Sequence, residues 1–192
     1  MRIVIRVDAS VFIGSGHVMR CLVLAKQLSS FGFEVIFATK PQKGDFLRYI
    51  SQQGFVVLEL NQSKKVITPS SSDDYLAWLQ GSWEDDAKDF VLKTKSADLI
   101  IVDHYSLDVF WEREVSNKLH CKVIVIDDLV REHDADLIID QTYGRKAEEY
   151  SLKNPKSIIL VGSEFALVSP EFKGIRDKLD KEKNIENKKN IL

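Results

Sequence analysis

Compact apolar runs alternate along this chain with amphipathic ones. β-branched and aliphatic residues crowd 2–7, 35–39, 55–60, 99–103, 122–127, 137–140 and 158–161, lengths that suit strands buried on both faces. Between several of them apolar residues recur at helical spacing. Val18, Cys21, Leu22, Ala25 and Leu28 follow the first run and Gly32 stops them; Phe46, Leu47 and Ile50 follow the second; another helical pattern covers 109–119. The section 73–95 contains Tyr75, Leu76, Trp78 and Leu79, then Ala87, Phe90 and Val91, divided by Gly81-Ser82, and predicts two short helices. The polar stretch 61–72, with Pro69 and four serines, predicts a mobile loop. The alternation as a whole predicts an α/β fold, a Rossmann-like, mostly parallel sheet with helices on both faces.

Chemistry concentrates just after the first strand, in Asp8-Ala-Ser-Val-Phe-Ile-Gly-Ser-Gly-His17-Val-Met-Arg20. Gly14 and Gly16 are free to take positive φ and let a ligand approach the backbone, so Gly14, Ser15 and Gly16 are candidate substrate-contacting residues. Three common glycine-loop readings fail. A dinucleotide fingerprint needs a third glycine where Met19 stands, a phosphate-binding P-loop needs Lys where His17 stands, and a nucleophile elbow needs glycine where Ile13 stands. Ser15 therefore reads as a helix cap or loop residue. His17 is the candidate base. The positive end of the helix dipole disfavours its imidazolium, and a neutral ring is what takes a proton from water. Its place at the carboxyl end of a strand is where open α/β sheets bind ligands.

Composition narrows the class. At 192 residues and 44% hydrophobic content the chain has enough apolar material for a proper core. Net charge −2 offers no electrostatic footprint for nucleic acid or an anionic membrane surface. A strand starting at Arg2 leaves no room for a signal peptide, and no apolar run reaches the length of a membrane span. Cys21 and Cys121 lack metal-ligand spacing and read as core thiols, which suits a reducing cytoplasm. Residues 173–189 are densely charged and read as a linker or solvated helix, and 190–192 as the first residues of a further domain. The folded unit is thus expected within 1–172.

Further blocks extend the pattern of the first loop. Arg6-Val-Asp8, Ile13-Gly-Ser-Gly-His17-Val-Met-Arg-Cys21, Trp78-Leu79 with Asp85-Asp86-Ala87, Val102-Asp-His-Tyr105, Ile126-Asp-Asp128, Asp136-Leu-Ile-Ile-Asp-Gln141 and Phe165-Ala-Leu-Val-Ser-Pro-Glu-Phe172 follow one another. In this order they resemble the nucleotide-sugar hydrolases of pseudaminic acid biosynthesis, which remove UDP from UDP-2,4-diacetamido-2,4,6-trideoxy-β-L-altropyranose. Ser169 departs from the arginine usual in relatives.

The resemblance implies the N-terminal half of a GT-B-type two-domain fold, with most of the UDP site in a C-terminal domain supplied in cis or in trans. It implies water attack on the anomeric carbon, His17 as the base, and Tyr105 bonding the sugar or the water. Around them, Asp8 either orients the His17 ring or bonds a sugar hydroxyl, and Arg6 and Arg20 either face phosphate or pair with carboxylates. His104, next to Tyr105, points to the opposite face and reads as structural, and Asp127 and Asp128 as strand-end caps. Neither a metal nor a cofactor is expected. Half of a GT-B glycosyltransferase and a non-catalytic sugar-binding remnant are the alternatives.

Overall fold

The computed structural model describes residues 1–62, 65–169 and 171–172. The charged segment 173–189 and the final residues 190–192 lie outside them.

Among the described residues seven strands form one sheet in the order β3-β2-β1-β4-β5-β6-β7, with every pairing parallel. They are β1 (Arg2–Val7), β2 (Glu34–Thr39), β3 (Val56–Glu59), β4 (Leu99–Asp103), β5 (Lys122–Ile126), β6 (Leu137–Asp140) and β7 (Ile158–Val161). The helices are α1 (Gly16–Ser30), α2 (Leu47–Gln52), α3 (Trp83–Thr94), α4 (Val109–Leu119) and α5 (Ala147–Ser151). Of the two helices expected in 73–95, the second is α3, while the first is a single 3-10 turn over Tyr75–Leu79. α5 is an addition that the sequence pattern did not announce; it buries one apolar side chain, Tyr150, too few for a period to show. β5 runs on to β6 without a helix.

Period-two alternation sorts the core into two layers. Ile3, Ile5 and Val7 of β1 pack with Phe37, Ile101, Ile126 and the α1 residues Val18, Cys21, Leu22 and Ala25. Val4, Ile36, Ala38, Ile100 and Val102 face the other way, against Ala87 and Phe90 of α3 and Trp111 and Val115 of α4. β1, β2, β4 and β5 are therefore covered on both sides, as parallel strands require. α1 ends as expected: Gly32 at φ 83 takes the left-handed position and its N–H donates to the Ser29 carbonyl at 2.9 Å. α3 and α4 begin on side-chain caps, Ser82 and Asp108.

The order of strands fixes where a ligand fits. The chain leaves β1 toward β2 on one side and returns to β4 on the other, so the crevice between the carboxyl ends of β1 and β4 is the topological switch point. Among the described residues no helix is long and apolar enough to cross a membrane.

Candidate active site

Strand parity brings distant residues together at the switch point. Asp103, the last residue of β4, falls on the same side of the sheet as Ile101 and meets the first turn of α1. Its Oδ1 lies 2.6 Å from His17 Nδ1 and accepts from Arg20 Nη2 at 2.6 Å, while its Oδ2 accepts from Arg20 Nε at 2.6 Å and from the Cys21 thiol at 3.4 Å. Arg20 Nη2 approaches the same imidazole nitrogen at 3.3 Å; since Nδ1 faces both a carboxylate and a cation, the short contact decides, and Nδ1–H donates to Asp103. That tautomer leaves Nε2 as the basic nitrogen.

Burial alone would raise the Asp103 carboxyl, but the hydrogen bonds from Arg20 and His17 and the charge of Arg20 hold it below the usual carboxylate range. The carboxylate is wholly buried, so its influence on the ring is little screened by water. Its bond to Nδ1 fixes the orientation of the ring. The Cys21 thiol is pushed up by burial and by Asp103, so it remains a core thiol; Cys121 is only half-buried.

Tyr105, two residues beyond β4, packs edge to face on His17 with ring centroids 4.7 Å apart. Its hydroxyl donates to Asp128 Oδ2 at 2.7 Å, and burial together with that carboxylate raises the phenol above its usual range, so it stays a donor. Trp78 stacks on Tyr105 at 5.6 Å and Tyr75 meets both rings, which places an aromatic wall from the 3-10 turn behind the crevice. Ile13, Gly16, His17, Arg20, Tyr105 and Gln141 line an open cavity of about 330 Å³. A larger cavity of about 510 Å³ lies away from it, beside Lys40 and Asp86; those two side chains are already paired at 3.1 Å.

The glycine loop is partly as expected. Gly14 adopts φ 77 and its N–H donates to the Ser10 carbonyl at 2.8 Å, which closes the turn before α1. Gly16 needs no positive φ; a Cβ there would meet nothing, so it simply leaves the cavity wall flat. Ser15 occupies the N-cap position but its side chain makes no capping bond, so of the two readings, cap or loop residue, its hydroxyl does not serve as a cap.

Two candidate substrate ligands are displaced from the site. Arg6 and Asp8 are wholly buried and sit two residues apart on the α3 side of β1. Arg6 donates to both oxygens of Asp8 at 2.6 and 2.9 Å and to both oxygens of Asp86 at 3.1 and 2.8 Å, and Thr39 and the Lys40 backbone also donate to Asp8. Neither side chain has surface to offer a ligand, and the residue that orients His17 is Asp103 rather than Asp8. His104 takes the opposite face as expected, with Nε2 3.2 Å from Asp8 Oδ2 and Nδ1 accepting from the Ser106 N–H. Arg20 pairs with carboxylates: besides Asp103 it donates from Nη1 to Asp128 Oδ2 at 2.6 Å. Asp127 does tie down the strand end, accepting from Arg131. Asp128 instead reaches into the site, which the strand-end reading missed.

No protein-family profile matches the chain. It is 29% identical over 173 residues to the UDP-2,4-diacetamido-2,4,6-trideoxy-β-L-altropyranose hydrolase of Campylobacter jejuni, an alignment covering 90% of this chain and 53% of that protein, and is its distant homologue. It is 28% identical over 199 residues to an uncharacterized protein of Methanocaldococcus jannaschii, covering 36% of it. The chain thus spans about half, or less, of the length of the curated relatives it matches. Among solved structures, MurG of Acinetobacter baumannii superposes with a TM-score of 0.52 at 15% identity, over 83% of this chain and 44% of MurG. That likeness concerns the fold: the sheet corresponds to the N-terminal half of a GT-B fold.

Proposed function

We propose that this chain is the base-bearing half of a nucleotide-sugar hydrolase that releases UDP from UDP-2,4-diacetamido-2,4,6-trideoxy-β-L-altropyranose, the reaction named for its Campylobacter relative. The observation that carries the reading is the 2.6 Å contact between His17 Nδ1 and Asp103 at the β1/β4 switch point, which turns Nε2 into the available base beside an open cavity.

In the proposed step, water attacks the anomeric carbon while His17 Nε2 takes its proton. The bond from that carbon to the diphosphate oxygen breaks, and its electron pair leaves with UDP. UDP is already a good leaving group, so the paired acid and base carboxylates of ordinary glycosidases are not required. Asp103 steadies the imidazolium as it forms. The Tyr105 hydroxyl, turned to Asp128 in the resting site, bonds the sugar or the incoming water. Nucleotide grip is assigned to a second domain, in cis or in trans, because the cation that lines this crevice is committed to Asp103 and Asp128.

Hydrolysis in ¹⁸O-labelled water, with the second domain present, tests the reading. Label in the released sugar and none in UDP is the expected result. Label in UDP would place the cleavage at phosphorus, and sugar transferred to an acceptor instead of freed would identify a glycosyltransferase.

A further inference from the structure

Arg20 touches both halves of the crevice. Its Nε and Nη2 take the two oxygens of Asp103, at the end of β4, and its Nη1 takes Oδ2 of Asp128, just beyond β5. Each of those carboxylates is also the partner of a candidate functional ring: Asp103 holds the His17 imidazole and Asp128 accepts from the Tyr105 hydroxyl. One guanidinium therefore grips the support of both side chains.

We propose that Arg20 is a positioning residue that locks His17 and Tyr105 into a single edge-to-face arrangement by clamping Asp103 to Asp128, and that it does not bind substrate phosphate. The inference rests on His17 being the base of this crevice.

The shape of the side chain carries the argument. A guanidinium is planar with its donors in a fixed fork, so a two-point grip on Asp103 also sets the direction of the third nitrogen, toward Asp128. A lysine ammonium keeps the charge but has no such fork. All three Arg20 nitrogens are engaged at 2.6 Å, and its side chain is 12% exposed. A phosphate brought to it would lie against two carboxylates that already share its charge. Without the clamp, among the described residues, the Asp103 carboxylate would keep only His17 and the long thiol contact from Cys21, and the Asp128 carboxylate only Tyr105.

Nuclear magnetic resonance of the ¹⁵N-labelled chain without substrate tests this. The His17 Nδ1–H resonance, assigned by its disappearance in His17→Asn, should be protected from water and show a through-space contact to the Tyr105 ring. Arg20→Lys should exchange that proton at least tenfold faster and lose the contact to Tyr105, while its backbone spectrum stays that of a folded chain. Asp128→Ala, which removes the oxygen that both Arg20 and Tyr105 use, should lose the Tyr105 contact and keep the Nδ1–H bond to Asp103. Its carboxylate is partly exposed, so this variant carries the test if the Arg20 variant does not fold. Unchanged exchange and an unchanged Tyr105 contact in Arg20→Lys, or an unchanged contact in Asp128→Ala, would overturn the proposal. The readout involves no turnover, so a failure of the hydrolase reading is seen separately.

Discussion

His17 Nδ1 and Asp103 Oδ1 lie 2.6 Å apart, though 86 residues separate them in sequence. The contact exists because β1 and β4 are neighbours with Val7 opposite Asp103, so the helix that follows β1 starts beside the end of β4. It sets the tautomer of the ring and hence which nitrogen is basic. Asp103→Asn keeps the size of the side chain and removes the charge, and should lower turnover by about 10²–10⁴-fold. Because it also breaks a buried pair with Arg20, stability should fall by roughly 3–5 kcal/mol. Steady-state UDP release with the second domain added and urea unfolding of the same variant measure the two effects; turnover within threefold of the parent would remove Asp103 from the mechanism.

Tyr105→Phe removes one hydroxyl and leaves the stack against Trp78 and the edge contact with His17. Its loss should be that of one hydrogen bond, about 1–3 kcal/mol of transition-state stabilisation. Comparing kcat/KM for the two variants in the presence of the second domain checks the ranking, and a larger loss for Tyr105→Phe than for Asp103→Asn would reverse the roles.

Stability should fall in alkaline solution through His133. This ring is buried, with Nδ1 2.7 Å from Glu112 Oε1 and Nε2 3.3 Å from Asp127 Oδ2. Burial would lower it, but the two carboxylates outweigh burial and raise it from 6.5 to about 9. A raised folded value means that its contribution is fully present below about pH 6.5 and is lost as pH rises through about 9. The urea midpoint should drop between pH 7 and pH 10, and His133→Gln should flatten that drop. A parent curve level across this window would contradict the assignment.

UDP alone should bind the 192-residue chain weakly, with a dissociation constant on the order of 1 mM or higher, since Arg20 is committed to carboxylates. Calorimetry reads this directly, and micromolar affinity would place the nucleotide in this domain.

Much of this arrangement was legible from local pattern. The runs at β1, β4 and β5 are apolar enough to be parallel strands, and the glycine loop before His17 marks a strand-to-helix turn. The partner of His17 was not legible, because no local period says that β4 lies next to β1. Asp103 carried one usable signal: a carboxylate closing a buried strand in phase with Ile101, on the side that α1 covers. Asp8 was misread, and Arg6 was left between phosphate and carboxylate partners, for the converse reason. Charged residues two apart beside the buried run of β1 share one face, and there Asp86 of α3 and Trp111 of α4 enclose them; Trp111 Nε1 donates to Asp86 at 3.1 Å. Ser15 has the residue type and position of a cap, but its hydroxyl makes no capping bond to the first turn of α1.

The central claim, that His17 activates water in nucleotide-sugar hydrolysis, is tested most directly by UDP release from UDP-2,4-diacetamido-2,4,6-trideoxy-β-L-altropyranose. The chain is assayed alone and with the C-terminal domain of the Campylobacter relative, as parent and as His17→Asn. Alone it should turn over undetectably, since unaligned reactants forfeit up to about 7–11 kcal/mol of barrier lowering. With the second domain, release should appear in the parent and fall by about 10²–10⁴-fold in His17→Asn. Near-parental release by His17→Asn would contradict the account.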